Sequence, residues 1–187
     1  MPMPDYIDEI RQKELTYDEA IERILEENGV IAAPIPVIKI AKSLGFVVYS
    51  AVQNSGNKDI ISVMADSAVP QLFFRGQREI IVNSEIHPMD QQLAVAHEIT
   101  HLVMHCNEDR DFFEKNVRGP RVSNIEKEAD DFALKLVVPT WMLRGYVMGI
   151  TPSGSVVNLV RRISETFFIS EENAWRRLCE TKCNPRG

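Results

Sequence analysis

AHEITHLVMH, residues 96–105, places His97, Glu98 and His101 in the pattern H-E-x-x-H. Leu93, Ala94, Val95, Ala96, Ile99, Leu102, Val103 and Met104 surround it, and a helix apolar on every side is a buried helix. The helical reading runs from about Pro88, which suits a first turn, to Cys106. Residues four apart on a helix share a face, about 6 Å apart along the axis. Two imidazoles at that spacing can grip one zinc ion as adjacent corners of a tetrahedron. Glu98, one step round from His97, can reach a water held by that ion without being a ligand, which suits a general base. The competing reading is a buried helix whose histidines are merely hydrogen-bonded. Polar groups in so apolar a setting need partners, and a metal supplies them.

His97, His101 and His105 are three of the chain's four histidines. His105 continues the four-residue spacing, but it stands about 6 Å further along the axis than His101, out of reach of the same ion. It reads as a group supporting the site or as a satisfied core histidine. His87, just before Pro88, reads as a turn residue. A third ligand must then come from another element, and NIEKEADDFALKLVVP (124–139) offers carboxylates. Its apolar stripe is Ile125, Ala129, Phe132, Ala133 and Leu136. At about 100° per residue, Glu126 lies roughly 60° from the centre of the stripe, and Glu128 roughly 100° from it on the other flank. Glu126 is the better placed and Glu128 the fallback. Ser123 and Glu126 also have the spacing of a capping box, so Glu126 has a purely structural reading as well. Asp130, four residues on, is placed to orient a ligand histidine through the ring's other N–H.

Working outward, residues 5–30 look helical and polar, with a capping box at Thr16 and Glu19 and a stop at Gly29. A second helix spans about Val37 to Leu44, between Pro36 and Gly45. The period then changes to two: FVVYS (46–50), DIISVMA (59–65), QLFF (71–74) and EIIVN (79–83) read as short strands separated by turn-rich segments. Residues 107–124 are polar and aperiodic, a helix follows from about Ile125 to Val137, and Pro139 closes it. Two more helical patterns, about 155–166 and 171–181, end the chain. The expected class is α+β, a small β-sheet packed against several helices.

With 187 residues, 44% apolar and 26% charged, the chain reads as globular and needs no disulfide to fold. A net charge of −6 argues against a dedicated nucleic-acid binder. The basic residues of the last helix pair, Arg161, Arg162, Arg176, Arg177 and Lys182, are offset by Glu165, Glu171, Glu172 and Glu180. No apolar run approaches the ~18 residues of a membrane span, and MPMPDYIDEI lacks the features of a secretory signal. The cysteines Cys106, Cys179 and Cys183 suit reduced thiols, so a cytoplasmic location is expected. Cys179 and Cys183 have no second pair to complete a metal site.

HEITHLVMH followed by EKEADDFALKLVVP resembles the ImmA/IrrE family of metallopeptidases. The lead-in REIIVNSEI and QQLAVAHEITH, the early PIPVIKIAKSLGFVV and the late ISETFFISEENAWRRL resemble it too, over about residues 30–180. The resemblance implies a zincin-like active-site helix with His97, His101 and Glu126 as metal ligands and Glu98 as catalytic glutamate, the gluzincin order. It favours Glu126 over Glu128 because the family's ligand stands three residues before the alanine, here Ala129. Thr100 stands where the family more often has glycine.

What the resemblance implies is a zinc-dependent endopeptidase, with another divalent metal as an alternative, acting on a helix-turn-helix transcriptional repressor or similar regulatory protein. The rival readings are a metal-containing regulator that binds and inactivates a repressor without cleavage, and a DNA-binding module. The expected organisation is an N-terminal helical arm over 1–30 and a zincin-like metallopeptidase domain over 31–187 that includes the C-terminal helix pair. Tyr146 and His105 are the candidates to stabilise an oxyanion.

Overall fold

A computed structural model describes residues 4–13, 15–51, 78–105, 120–149 and 155–182. The protein is α+β: among the described residues a two-stranded sheet is set among helices. Helices α1 (Asp5–Gln12) and α2 (Tyr17–Glu27) come first. The Thr16 hydroxyl accepts from the Glu19 N–H while the Glu19 carboxylate accepts from the Thr16 N–H, so the expected capping box starts α2. At its other end Gly29 has φ +63°, with Val30 N–H donating to Leu25 O and Gly29 N–H to Glu26 O. Those two bonds are a Schellman closure, which needs the left-handed residue that glycine provides. The arm is less polar than its composition suggests. Ile7, Ile10, Ile21, Ile24 and Leu25 turn inward and join the main core.

Helix α3 (Val37–Ser43) leads into strand β1 (Phe46–Ala51), which pairs with β2 (Arg78–Asn83) in parallel, Phe46 opposite Arg78 and Ala51 opposite Asn83. On β1, Val47 and Tyr49 face out while Phe46 and Val48 pack on the core. On β2, Ile80 and Val82 are buried, the two-residue period of a sheet with one covered face. The strands expected over 59–65 and 71–74 lie outside the described residues.

Strand β2 feeds helix α4 (Pro88–Thr100), whose backbone continues as a five-residue π-helical turn, His101–His105. His87 is the N-cap, its Nδ1 accepting from Met89 N–H at 3.2 Å, which gives the expected turn residue a definite task. Helix α5 (Pro120–Val137) packs chiefly on α4 and also touches α2. It begins five residues before the expected start at Ile125. Ser123 therefore lies within the helix and is not an N-cap, so the capping-box reading of Glu126 fails. Pro120 opens the helix, as proline can where no N–H bond is lost.

Helix α6 (Thr140–Gly149) was not expected. Helix α5 ends at Val137, as expected ahead of Pro139, and the Pro139 carbonyl then accepts from Leu143 N–H at 2.9 Å to start α6. Helices α7 (Val156–Phe167) and α8 (Glu171–Glu180) form the closing pair, with Ser155 and Ser170 as N-caps. In this pair Arg161 meets Glu171, Arg176 meets Glu180 and Asp131, and Arg177 is buried at 1% exposure.

Candidate metal centre

Helix α4 brings two imidazoles to one face and α5 brings carboxylates to meet them. His97 Nε2 and His101 Nε2 are 2.9 Å apart, and Glu126 reaches them at 3.1 Å through Oε2 and 3.5 Å through Oε1 respectively. One ligand atom from each of the three lies within 4.8 Å of the others, and no other His, Cys, Asp or Glu trio among the described residues converges in this way. Tetrahedral sites with bonds of about 2.0–2.1 Å have donor–donor edges of about 3.4 Å, so these separations fit one small divalent ion.

The far side of each ring is also engaged. His97 Nδ1 faces Asp130 Oδ1 at 2.8 Å. A carboxylate only accepts, so Nδ1 carries a hydrogen, and Nε2 is the nitrogen that would hold a metal. Asp130 thus stands where the sequence spacing puts it. His101 Nδ1 lies 3.1 Å from His105 Nδ1, and His105 Nε2 lies 3.5 Å from Glu128 Oε2. Glu128 therefore meets His105 and does not join the trio.

His105 ends the π-turn that begins at His101, and the two ring centroids are 5.2 Å apart. Such a turn leaves carbonyls to satisfy at the helix end. Arg11 of α1 supplies donors from outside: its Nε donates to Val103 O at 3.2 Å and its Nη2 to Leu102 O. Sequence reading missed Arg11, because nothing local to α1 points to a partner this far along the chain.

Electrostatics separates the carboxylates. The hydrogen bonds from His101 and then His97 hold Glu126 well below the usual carboxylate range. Burial pulls His97 down, but Glu126, Glu98 and Asp130 outweigh it and the net shift is upward. Glu98 moves the other way: burial pushes its carboxyl above the usual range, and the pull of His101 and His97 only partly opposes this. Of the two residues considered for oxyanion stabilisation, His105 is engaged as described. The Tyr146 hydroxyl accepts from Thr166 Oγ1 at 3.0 Å and donates to Arg162 O at 3.5 Å, which ties it to α7.

Residues 42–178 match the family described as Peptidase_M78, the IrrE N-terminal-like domain. The chain belongs to that family. The match takes in α4, α5 and the whole His97–His101–Glu126 trio, and it leaves out α1 and α2. Membership carries a metallopeptidase-like function, and the trio is a possible divalent-metal site. A solved structure described as a Mycobacterium tuberculosis transcriptional regulator is similar in fold, with a TM-score of 0.61 at 15% sequence identity. The similarity covers 99% of this chain and 54% of that one, so this chain spans about half the length of that protein. No curated protein matches the sequence.

Proposed function

We propose that this member of the Peptidase_M78 family is a zinc-dependent endopeptidase, with His97, His101 and Glu126 as ligands and Glu98 as general base. The observation that carries the reading is the convergence of the three donors, with Glu98 adjacent to His97 on the same helix. Two imidazoles and one carboxylate suit zinc, while the same donor set accepts other divalent ions. When bound, the ion acts as a Lewis acid that lowers the pKa of water towards about 7 and polarises a peptide carbonyl. Glu98 moves the proton: its carboxylate accepts it from the attacking water and delivers it to the departing amine. The upward shift of Glu98 brings it nearer the pH at which such exchange is fast. Asp130 keeps the His97 ring turned so that Nε2 faces the site.

The proposed substrate is a helix-turn-helix transcriptional repressor or a similar regulatory protein, and the proposed compartment is the cytoplasm. The family resemblance supports the substrate class, as does the description of the similar solved protein as a transcriptional regulator. That same description supports a second reading, a regulator that binds and inactivates a repressor without cutting it. The DNA-binding reading has less behind it, because Arg161, Arg176 and Arg177 are already engaged by acidic groups. No described helix is long and apolar enough to cross a membrane, and Cys179 is a free thiol. We further propose that residues 1–30 act as an arm docked on a catalytic unit spanning 31–187; the contact of α1 with the π-turn supports this.

The test is metal analysis of the purified protein together with co-incubation with a repressor encoded beside its gene. Glu98→Gln should keep about one metal per chain and keep partner binding, while cleavage falls roughly 10²–10⁴-fold. Cleavage at the wild-type rate by metal-loaded Glu98→Gln would remove Glu98 from the role. Binding and repressor inactivation with no fragments from either protein would favour the second reading.

A further inference from the structure

We propose that Arg11 of α1 is a positioning residue for the metal centre, acting through the π-turn that begins at His101. The proposal rests on the reading of His97, His101 and Glu126 as metal ligands, and it adds a residue from outside the segment that matches the family, residues 42–178. Arg11 Nε donates to Val103 O at 3.2 Å and Nη2 donates to Leu102 O, bridging 92 and 91 positions along the chain. Those carbonyls belong to the two residues directly after His101. One edge of the guanidinium thus spans two successive carbonyls, using the rigid fork of donors that arginine has and lysine lacks. The Arg11 side chain is only 9% exposed, and Asp8 Oδ1 lies 3.5 Å from its Nη1.

A single π-turn is a rare winding. This one continues α4 at its C-terminal end, where backbone carbonyls lack intrahelical donors and a positive charge is favourable. Arg11 brings both the donors and the charge. Leu102 and Val103 are themselves buried, so water is a poor replacement for the guanidinium. With the two bonds gone, the turn is free to rewind, and rewinding moves the backbone that carries His101. Helix α1 is fastened beside the turn by Ile7 and Ile10, which are buried in the main core. The link works in both directions: what Arg11 does for the site, an occupied site returns to α1.

The experiment is zinc titration of the full chain against a chromophoric chelator, for wild type, Arg11→Gln, Arg11→Lys and Thr16→Ala. Arg11→Gln should weaken zinc at least about fivefold, since coupling between linked sites typically spans about 5–150-fold. Arg11→Lys should fall between Arg11→Gln and wild type, because the ammonium keeps the charge but not the fork. Thr16→Ala removes the cap of α2 and loosens the same arm at a bond local to that helix, so it should bind zinc like wild type. Hydrogen exchange reads the reverse direction. In wild type, zinc should slow exchange of the α1 amides more than those of α8, and in Arg11→Gln that difference should vanish.

Wild-type zinc affinity in a folded Arg11→Gln chain would overturn the proposal. So would equal losses in Arg11→Gln and Thr16→Ala, which mark a general loosening of the arm. The underlying metal reading fails in a different way, if wild type binds no zinc or if His97→Ala binds it equally well. Should Arg11→Gln fail to fold, Arg11→Lys and the exchange experiment on wild type decide, since the latter needs no substitution. Equal slowing of α1 and α8 by zinc would then refute the link.

Discussion

Replacing Glu126 by alanine tests the centre most directly, because three carboxylates on one helix provide their own controls. Glu126 Oε2 is 3.1 Å from His97 Nε2; Asp130 meets only the far nitrogen of His97; Glu128 meets only His105. Zinc sites made by protein ligands are worth about 10–16 kcal/mol, so one ligand of a three-residue set is worth roughly 3–4 kcal/mol after water takes its place. Glu126→Ala should therefore weaken zinc by two to three powers of ten. Asp130→Ala should weaken it about 10–100-fold, through ring orientation alone, and Glu128→Ala no more than that. Chelator competition at fixed pH measures all three. In the metal-free protein Glu126→Ala should also lower the pKa of His97, because the largest of the influences that raise it is gone. Proton NMR of the imidazole follows this. An alanine at 126 that binds zinc like wild type, with one at 128 that empties the site, would refute the assignment.

Arg11→Ala strands the carbonyls of Leu102 and Val103, and chemical denaturation should report a loss of about 1–3 kcal/mol, only partly restored by lysine. Arg177→Met leaves the Val138 carbonyl without its two guanidinium donors, at about 1–3 kcal/mol by the same assay, whereas Glu180→Gln should cost less than about 1 kcal/mol. Gly29→Ala meets nothing within 4 Å of the added Cβ, so its destabilisation should be the backbone penalty alone, about 1 kcal/mol, and smaller with asparagine.

Local rules made some elements legible and concealed others. The capping box at Thr16 and the stop at Gly29 depend on residues within one turn, and both stand as read. The alternation in FVVYS and EIIVN identified strands, but their parallel pairing joins segments with residues 52–77 between them, and periodicity carries no information about partners. Pro139 reads as the close of α5, which does end at Val137, but the same residue also leads into α6, which the local pattern did not show. Gly145 and Gly149 weakened the helical signal of α6, which packing of Leu143 into the core overrides. At the site, helical spacing paired His97 with His101 and Glu126 with Asp130, while the preference for Glu126 over Glu128 came from the apolar stripe and the family resemblance. The widened turn at His101–His105 was not, since it coincides with a guanidinium from α1 and a carboxylate from α5, neither of which a local pattern can reveal.

The distribution of burial across these residues bears on which carboxylate does which task. Neutral imidazoles are inexpensive to enclose and charged carboxylates are not. Accordingly, Glu126, Glu128 and Asp130 are 50–66% exposed while the histidines they meet are 6–20% exposed. A ligand carboxylate has to stay ionised, and the downward shift of Glu126 meets that need. A general base has to take up a proton and release it in each cycle, which a strongly acidic group does poorly. Glu98 stands on α4 beside His97, half-buried, and its shift is upward. The opposite directions of the two shifts separate a holder of charge from an exchanger of protons. They support assigning Glu126 to the metal and Glu98 to the water.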